Sequence, residues 1–319
     1  MRTLSGRSSR ILVLGLVFTC LAATGCKQGG GPAGGPAKPD TPTMTSEAPP
    51  APQVKKDYAP VNGLKMYYEI HGAGEPLVLI NGAFMTIEAW GDVLPMLAKS
   101  REVIALELQG HGRTADIDRP FSHEQFADDV AALMRHVGVA KADVLGFSLG
   151  GEVALQFAIR HPEMTRKLIV VSATYRSDGW YPEVAATIAK ITPESFNGSV
   201  IREGYDRVAP DPKAFPVLVE HIKALEAQPY AWSEDAIRAI PSPTLIVLGD
   251  SDGVRLEHAV AMFKLLGGGV FGDIVGLPKS QLAVLPGTFH FVVMMRSAWL
   301  VPMITDFLDG KAIQVPVPK

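Results

Sequence analysis

The stretch Val144-Leu145-Gly146-Phe147-Ser148-Leu149-Gly150-Gly151-Glu152-Val153-Ala154 constrains this chain most, because an apolar strand runs through a sharp turn directly into a helix. Ala142 to Phe147 is strand-like, while Gly150, Val153, Ala154, Phe157 and Ala158 recur at helical spacing and stop at His161-Pro162. Gly146-x-Ser148-x-Gly150 is the pattern of a nucleophile elbow, in which a serine takes a strained backbone conformation that lifts its hydroxyl above the strand ends. Side chains at the flanking positions would collide across so tight a turn, and glycine removes the collision. Three fixed letters recur by chance in many chains. The strand before them and the helix after them give the pattern its weight.

Strand and helix alternate around this point. Asp57 to Ala59 and Leu64 to Ile70 flank Asn62-Gly63, a dipeptide favoured in two-residue hairpin turns, so the chain enters its sheet through an antiparallel pair. Leu77 to Ile80 is a continuous apolar run, as in a strand covered on both faces, and ends at Asn81-Gly82-Ala83-Phe84. A helix is predicted through Trp90 to Leu97, a strand over Glu102 to Leu106, and a helix to His136 that opens on the capping-box pair Ser122 and Gln125. Lys167 to Ser172 reads as another strand. Thr244 to Leu248, Leu256 to Leu266, Gln281 to Leu285 and Trp299 to Leu308 read as strand, helix, strand and helix. This order predicts an α/β fold: a mostly parallel sheet with helices on both faces. Between Thr174 and Pro243 the alternation stops. That segment is rich in aromatics and in helix-like patches such as Val217 to Ala227, and it reads as a small helical cap over 176–240, set between core segments 56–175 and 241–312.

A serine hydroxyl needs a base to take its proton, and the base needs a third group to orient it. His290 follows the last strand, in Leu285-Pro286-Gly287-Thr288-Phe289-His290, at the same sheet edge as Ser148. His111, in Gln109-Gly110-His111-Gly112-Arg113, precedes the nucleophile and is the weaker rival, better suited to shaping the site's floor. His161 is assigned to its helix C-terminus. The remaining histidines show no comparable placement. The acid is sought in Gly249-Asp250-Ser251-Asp252-Gly253. Asp252 lies farther into the loop and reaches better toward His290, while Asp250 suits a role in holding the loop through backbone amides.

The four motifs Gly146-Phe147-Ser148-Leu149-Gly150, Gln109-Gly110-His111-Gly112-Arg113, Gly249-Asp250-Ser251-Asp252 and Gly287-Thr288-Phe289-His290 together resemble the α/β-hydrolase family from about residue 57 to 309. The resemblance implies catalysis by Ser148, Asp252 and His290, in that chain order. It also implies an oxyanion hole from the backbone N–H groups of Leu149 and Ala83. Many relatives have His-Gly where this chain has Asn81-Gly82, but the donor is backbone and survives the change. A serine at the elbow argues against haloalkane dehalogenase and epoxide hydrolase chemistry. The reading is a serine hydrolase acting on a small-molecule carboxylic ester. Lactonase, perhydrolase and C–C bond hydrolase activities stay open within the fold, and a tethered binding protein without chemistry is the rival of another class. Neither a metal nor an organic cofactor is implied.

The ends of the chain differ in kind from its body. A net charge of −3 gives no basic footprint for nucleic acid. Arg2, Arg7 and Arg10 precede the apolar run Ile11 to Ala23, as in a signal peptide. Leu21-Ala22-Ala23-Thr24-Gly25-Cys26 resembles a bacterial lipoprotein signal, which implies a signal peptide over 1–25, lipidation of Cys26 and a place in the cell envelope. A plain secretory signal cut near Ala23, giving a secreted or periplasmic protein, is the alternative. The Gly- and Pro-rich run that follows reads as a flexible tether over 26–55, so membrane contact is expected only through the N-terminal lipid.

Overall fold

The computed structural model describes residues 54–311. The expected signal peptide, Cys20, Cys26 and all but the last two residues of the expected tether lie outside the described residues. An eight-stranded sheet is built from β1 (Lys55–Val61), β2 (Leu64–His71), β3 (Glu75–Ile80), β4 (Arg101–Leu106), β5 (Ala142–Phe147), β6 (Thr165–Val171), β7 (Thr244–Gly249) and β8 (Gln281–Leu285). Its order is β1-β2-β4-β3-β5-β6-β7-β8, antiparallel for the first two pairings and parallel for the rest. The β1–β2 hairpin pairs Val61 with Leu64 across Asn62 (φ 47°) and Gly63 (φ 88°). Both central residues have the positive φ that a primed two-residue turn requires.

Among the described residues, ten α-helices accompany the strands: α1 (Val93–Leu97), α2 (His123–His136), α3 (Leu149–Arg160), α4 (Pro182–Ile188), α5 (Val200–Val208), α6 (Phe215–Glu226), α7 (Glu234–Arg238), α8 (Leu256–Leu265), α9 (Gly272–Val275) and α10 (Ser297–Asp309). Alternate residues of each central strand feed two separate cores, as the pleat dictates. Val78, Ile80, Ile104, Leu106 and Val144 join Phe126, Val130 and Phe157 of α2 and α3. Leu77, Leu79, Val103, Ala105 and Leu145 join Leu94 and Leu97 of α1 with Leu300 and Ile304 of α10. Burial on both faces explains why these strands read as unbroken apolar runs. Among the described residues, no helix is long and apolar enough to cross a membrane.

Three expectations change in detail. The single helix expected through Trp90 to Leu97 is a 3-10 turn at Ile87–Trp90 and then α1, because Gly91 takes φ 49° and breaks the run. The capping box at α2 is half formed: Ser122 accepts from the Gln125 amide at 3.1 Å, but the Gln125 side chain donates to Asp129 at 3.2 Å. His161 does end α3, yet its imidazole pairs at 2.8 Å with Asp128 on the neighbouring α2.

Chain order reverses across β3, since β4 lies on one side of it and β5 on the other. In open α/β sheets such a switch point leaves a crevice beyond the carboxyl ends of the strands. The segment between β6 and β7 supplies α4 to α7 and is rooted at this same edge, where Trp232 donates its amide to Tyr175 O (3.1 Å) and Tyr181 donates to Gly253 O (2.9 Å).

Candidate active site

Ser148 follows β5 with φ 54° and ψ −125°, and α3 begins at the next residue. Its amide donates to Val171 O at 2.9 Å, which continues the β5–β6 ladder up to the turn. The sharpness of this turn is bought by glycines. A Cβ on Gly146 would lie 1.9 Å from Gly150 O, and one on Gly150 would lie 2.1 Å from Ile80 O. Both obstacles are backbone, so neither can swing aside.

The three residues placed at one edge by the sequence meet in space. His290 Nε2 is 3.0 Å from Ser148 Oγ, and His290 Nδ1 is 2.9 Å from Asp252 Oδ1. Asp252 also accepts from the Ser172 hydroxyl (2.6 Å) and from the amides of Val254 (3.1 Å) and Gly249 (3.3 Å). Burial pushes the Asp252 carboxyl up, but the His290 hydrogen bond and charge, with Ser172 and the Val254 amide, hold it below the ordinary aspartate value. It therefore stays ionised, as a group that orients and stabilises an imidazolium must.

Asp250 points elsewhere. It accepts from the amides of Gly287 (2.9 Å) and Thr288 (3.1 Å), fastening the turn that carries His290. Gly249 lets the two loops close: a Cβ there would sit 2.0 Å from Thr288 O. His111 is buried and does not line the cavity over Ser148; its Nδ1 donates to Gln109 O at 2.9 Å and its ring stacks on Phe121. Leu149 and Ala83 both line the cavity above Ser148. The Leu149 amide is the first of α3 and has no carbonyl within that helix to donate to. Asn81 is 3% exposed, and its side-chain amide has no hydrogen-bond partner among the described residues.

Two contributors were not legible beforehand. Ser172, read only as a strand end, takes φ 52° and supplies the shortest hydrogen bond to Asp252. Its signal was a serine closing the strand between those of nucleophile and acid. Glu152, one turn into α3 and 1% exposed, gathers cap and body together: it accepts from Trp180 Nε1 (3.0 Å), Thr174 (3.4 Å) and Tyr230, and pairs with His123 Nε2 (3.1 Å). Trp180, so anchored, sets its ring edge-on to His290 at 5.4 Å, and Phe147 packs against the same imidazole at 5.1 Å. The imidazole is thus walled by aromatics. The cavity over Ser148 measures about 430 Å³, and its lining includes Ile188, Ile191, Phe196, Ile201 and Ile222.

A family profile described as the α/β hydrolase fold matches residues 75–221, which include β3, the elbow and most of the cap. The chain has the α/β-hydrolase fold. A 2-hydroxymuconate semialdehyde hydrolase from Pseudomonas sp. (strain CF600) is 26% identical over 276 residues, spanning 79% of this α/β hydrolase and 94% of the relative. The structure of a meta-cleavage product hydrolase from Pseudomonas fluorescens IP01 superposes with a TM-score of 0.64 at 20% identity, covering 81% of this chain and 98% of that one. A membrane phospholipase A, a bacterial virulence factor, superposes at 0.67 with 21% identity over 81% of this chain and 86% of its own. These two structural likenesses concern the α/β-hydrolase fold.

Proposed function

We propose that this α/β hydrolase cleaves uncharged carboxylic esters through an acyl-enzyme on Ser148. The observation that carries the reading is the hydroxyl–imidazole–carboxylate line of Ser148, His290 and Asp252, opening onto a cavity whose lining contains neither Lys nor Arg. His290 takes the Ser148 proton as the oxygen attacks the ester carbonyl, and Asp252 stabilises the imidazolium that forms. The Leu149 and Ala83 amides bind the oxyanion; loss of one such donor typically costs ~10²–10³ in turnover. His290 then hands its proton to the leaving alcohol, and water activated by the same imidazole releases the acid.

A second reading is C–C bond hydrolysis, favoured by the 26% identity to a 2-hydroxymuconate semialdehyde hydrolase. A muconate-type substrate carries a carboxylate, which this cavity, lined by neither Lys nor Arg, would desolvate with no cation to pair it. Neutral esters fit the lining better. Purified enzyme should hydrolyse p-nitrophenyl alkanoates and label with a fluorophosphonate probe, and Ser148→Ala should abolish both while keeping the wild-type circular dichroism spectrum. Faster turnover of a meta-cleavage product than of any ester would favour the second reading. A wild-type protein that neither labels nor turns over either substrate would indicate a binding role.

A further inference from the structure

The apolar cavity contains one half-buried carboxyl that the chemistry at Ser148 does not use. Glu226, the last residue of α6, lines the cavity together with Ser148 and His290. Its carboxyl makes no hydrogen bond or ion pair among the described residues, and Ile188, Ile191 and Ile222 line the same cavity. A half-buried carboxyl without a protein partner, facing the space a substrate must enter, is a group left for the substrate.

The neighbourhood explains why the protein offers Glu226 nothing. Glu152 takes the available donors, His123, Trp180, Thr174 and Tyr230. The charged and titratable groups near Glu226 are Glu152, His123 and Tyr230, with Glu183 and His290 lining the same cavity. Burial, and after it the Glu152 charge, push the Glu226 carboxyl well above the ordinary range, against the smaller opposing pull of His123. Both influences favour the protonated carboxyl, which has an O–H to donate.

We propose that Glu226, lining the cavity with Ser148 and His290, is a specificity-determining residue whose carboxyl donates a hydrogen bond to an oxygen acceptor in the substrate, an ether, ketone or hydroxyl set along the otherwise apolar part of the ester. The substrate class is thereby narrowed from plain alkyl esters to oxygen-substituted ones. This rests on the ester reading above. A chain oxygen that meets no donor loses its hydration for nothing, whereas one that meets Glu226 satisfies both groups at once.

The test uses p-nitrophenyl heptanoate and its 4-, 5- and 6-oxa analogues, which exchange one methylene for an ether oxygen with little change of shape. At least one analogue should exceed heptanoate in kcat/KM by on the order of tenfold, the scale expected when a buried polar group gains or loses its partner. That ratio should fall to one or below in Glu226→Leu and survive in part in Glu226→Gln, whose amide still donates. A second arm avoids turnover: in Ser148→Ala, calorimetry should rank the same oxa position first among the corresponding neutral amides, and Glu226→Leu in that background should erase the ranking. If esters were not turned over but the amide ranking held, the ester reading alone would fail. No preferred position in either arm, a preference that persists in Glu226→Leu, or a preference for a 6-amino chain over every oxa chain would overturn the proposal.

Discussion

Two serines close adjacent strands with nearly the same backbone twist, Ser148 at φ 54° and Ser172 at φ 52°, and they part company only through their partners. Ser148 presents its hydroxyl to His290, whereas Ser172 commits its own to Asp252 at 2.6 Å. The competition between the two aspartates resolves the same way, by partner rather than by residue type. Asp252 faces the imidazole; Asp250 faces only backbone amides and hydroxyls of its own loops. Asp252→Asn should therefore lower kcat by as much as ~10⁴-fold, the scale seen when such a carboxylate is replaced by an amide that favours the wrong imidazole tautomer. Asp250→Asn should lower the melting temperature while keeping most of the turnover. Kinetics and thermal melts of the two purified variants decide this, and a larger loss of kcat in Asp250→Asn would move the acid's role to that residue. Asp252 and His290 were legible because each follows a recognisable strand. Ser172 and Glu152 were not, because their partners lie 80 and up to 78 residues away in sequence, and only tertiary packing joins them.

The strand–turn–helix unit around Ser148 was legible in full because its constraints are local. The apolar run, the glycines and the helical period all fall within one stretch, and β5 and α3 occupy Ala142–Phe147 and Leu149–Arg160. Where an element depends on a backbone angle the letters do not display, the reading slipped: Gly91 at φ 49° divides the first helix, and its effect follows from conformation rather than composition. α9, between Phe271 and Gly276, carries no buried residue and so leaves no periodic apolar trace to read. The elbow's glycines differ in how much they matter. Gly150 has no positive φ to protect, and its constraint is purely the carbonyl oxygens of Ile80 and Asn81, 2.1 and 2.5 Å from where a Cβ would stand. Gly198 is the reverse case, with φ 70° and open space around it. Gly150→Ala should destabilise the fold by about 1–3 kcal/mol or more, since β3 and α3 must move apart. Gly198→Ala should cost about 1 kcal/mol, from the positive φ alone. Chemical denaturation of the two variants measures the contrast, and equal midpoints would show that β3 and α3 yield easily.

At the scale of the whole molecule, the cap meets the body beside the loop that holds Asp252, and a histidine lies beneath the junction. Tyr181 donates its amide to Gly253 O and Arg255 donates to Gly179 O, while His258 of α8 packs so closely under Gly179 that a Cβ there would lie 2.6 Å from its ring. His258 Nε2 accepts the Tyr175 amide at 3.2 Å, and the ring stacks on Tyr175 at 4.5 Å. That acceptor role requires the neutral imidazole. Burial, with Arg176 and Arg255 nearby, lowers its pKa to about 4. An unfolded chain would protonate this histidine near pH 6.5, so between pH 6.5 and 4 the unfolded state holds more protons and stability falls as pH falls. Glu107 works in the opposite sense: burial outweighs Arg113 and raises it to about 7, so its contribution is full below pH 4.5 and is lost as pH rises through 7. The net profile is a contest between such groups, and the imidazole's share is isolated by comparison with His258→Gln, whose amide oxygen can still accept from Tyr175 without titrating. The wild-type advantage over that variant should be largest at pH 7 and shrink by up to about 3 kcal/mol by pH 4, following the 2.5-unit difference between 6.5 and about 4. Thermal melts of both proteins from pH 7 to 4 provide the measurement. A gap that stayed constant across that range would mean that His258 titrates as it does in an unfolded chain and that the cap's root carries no proton-linked stability.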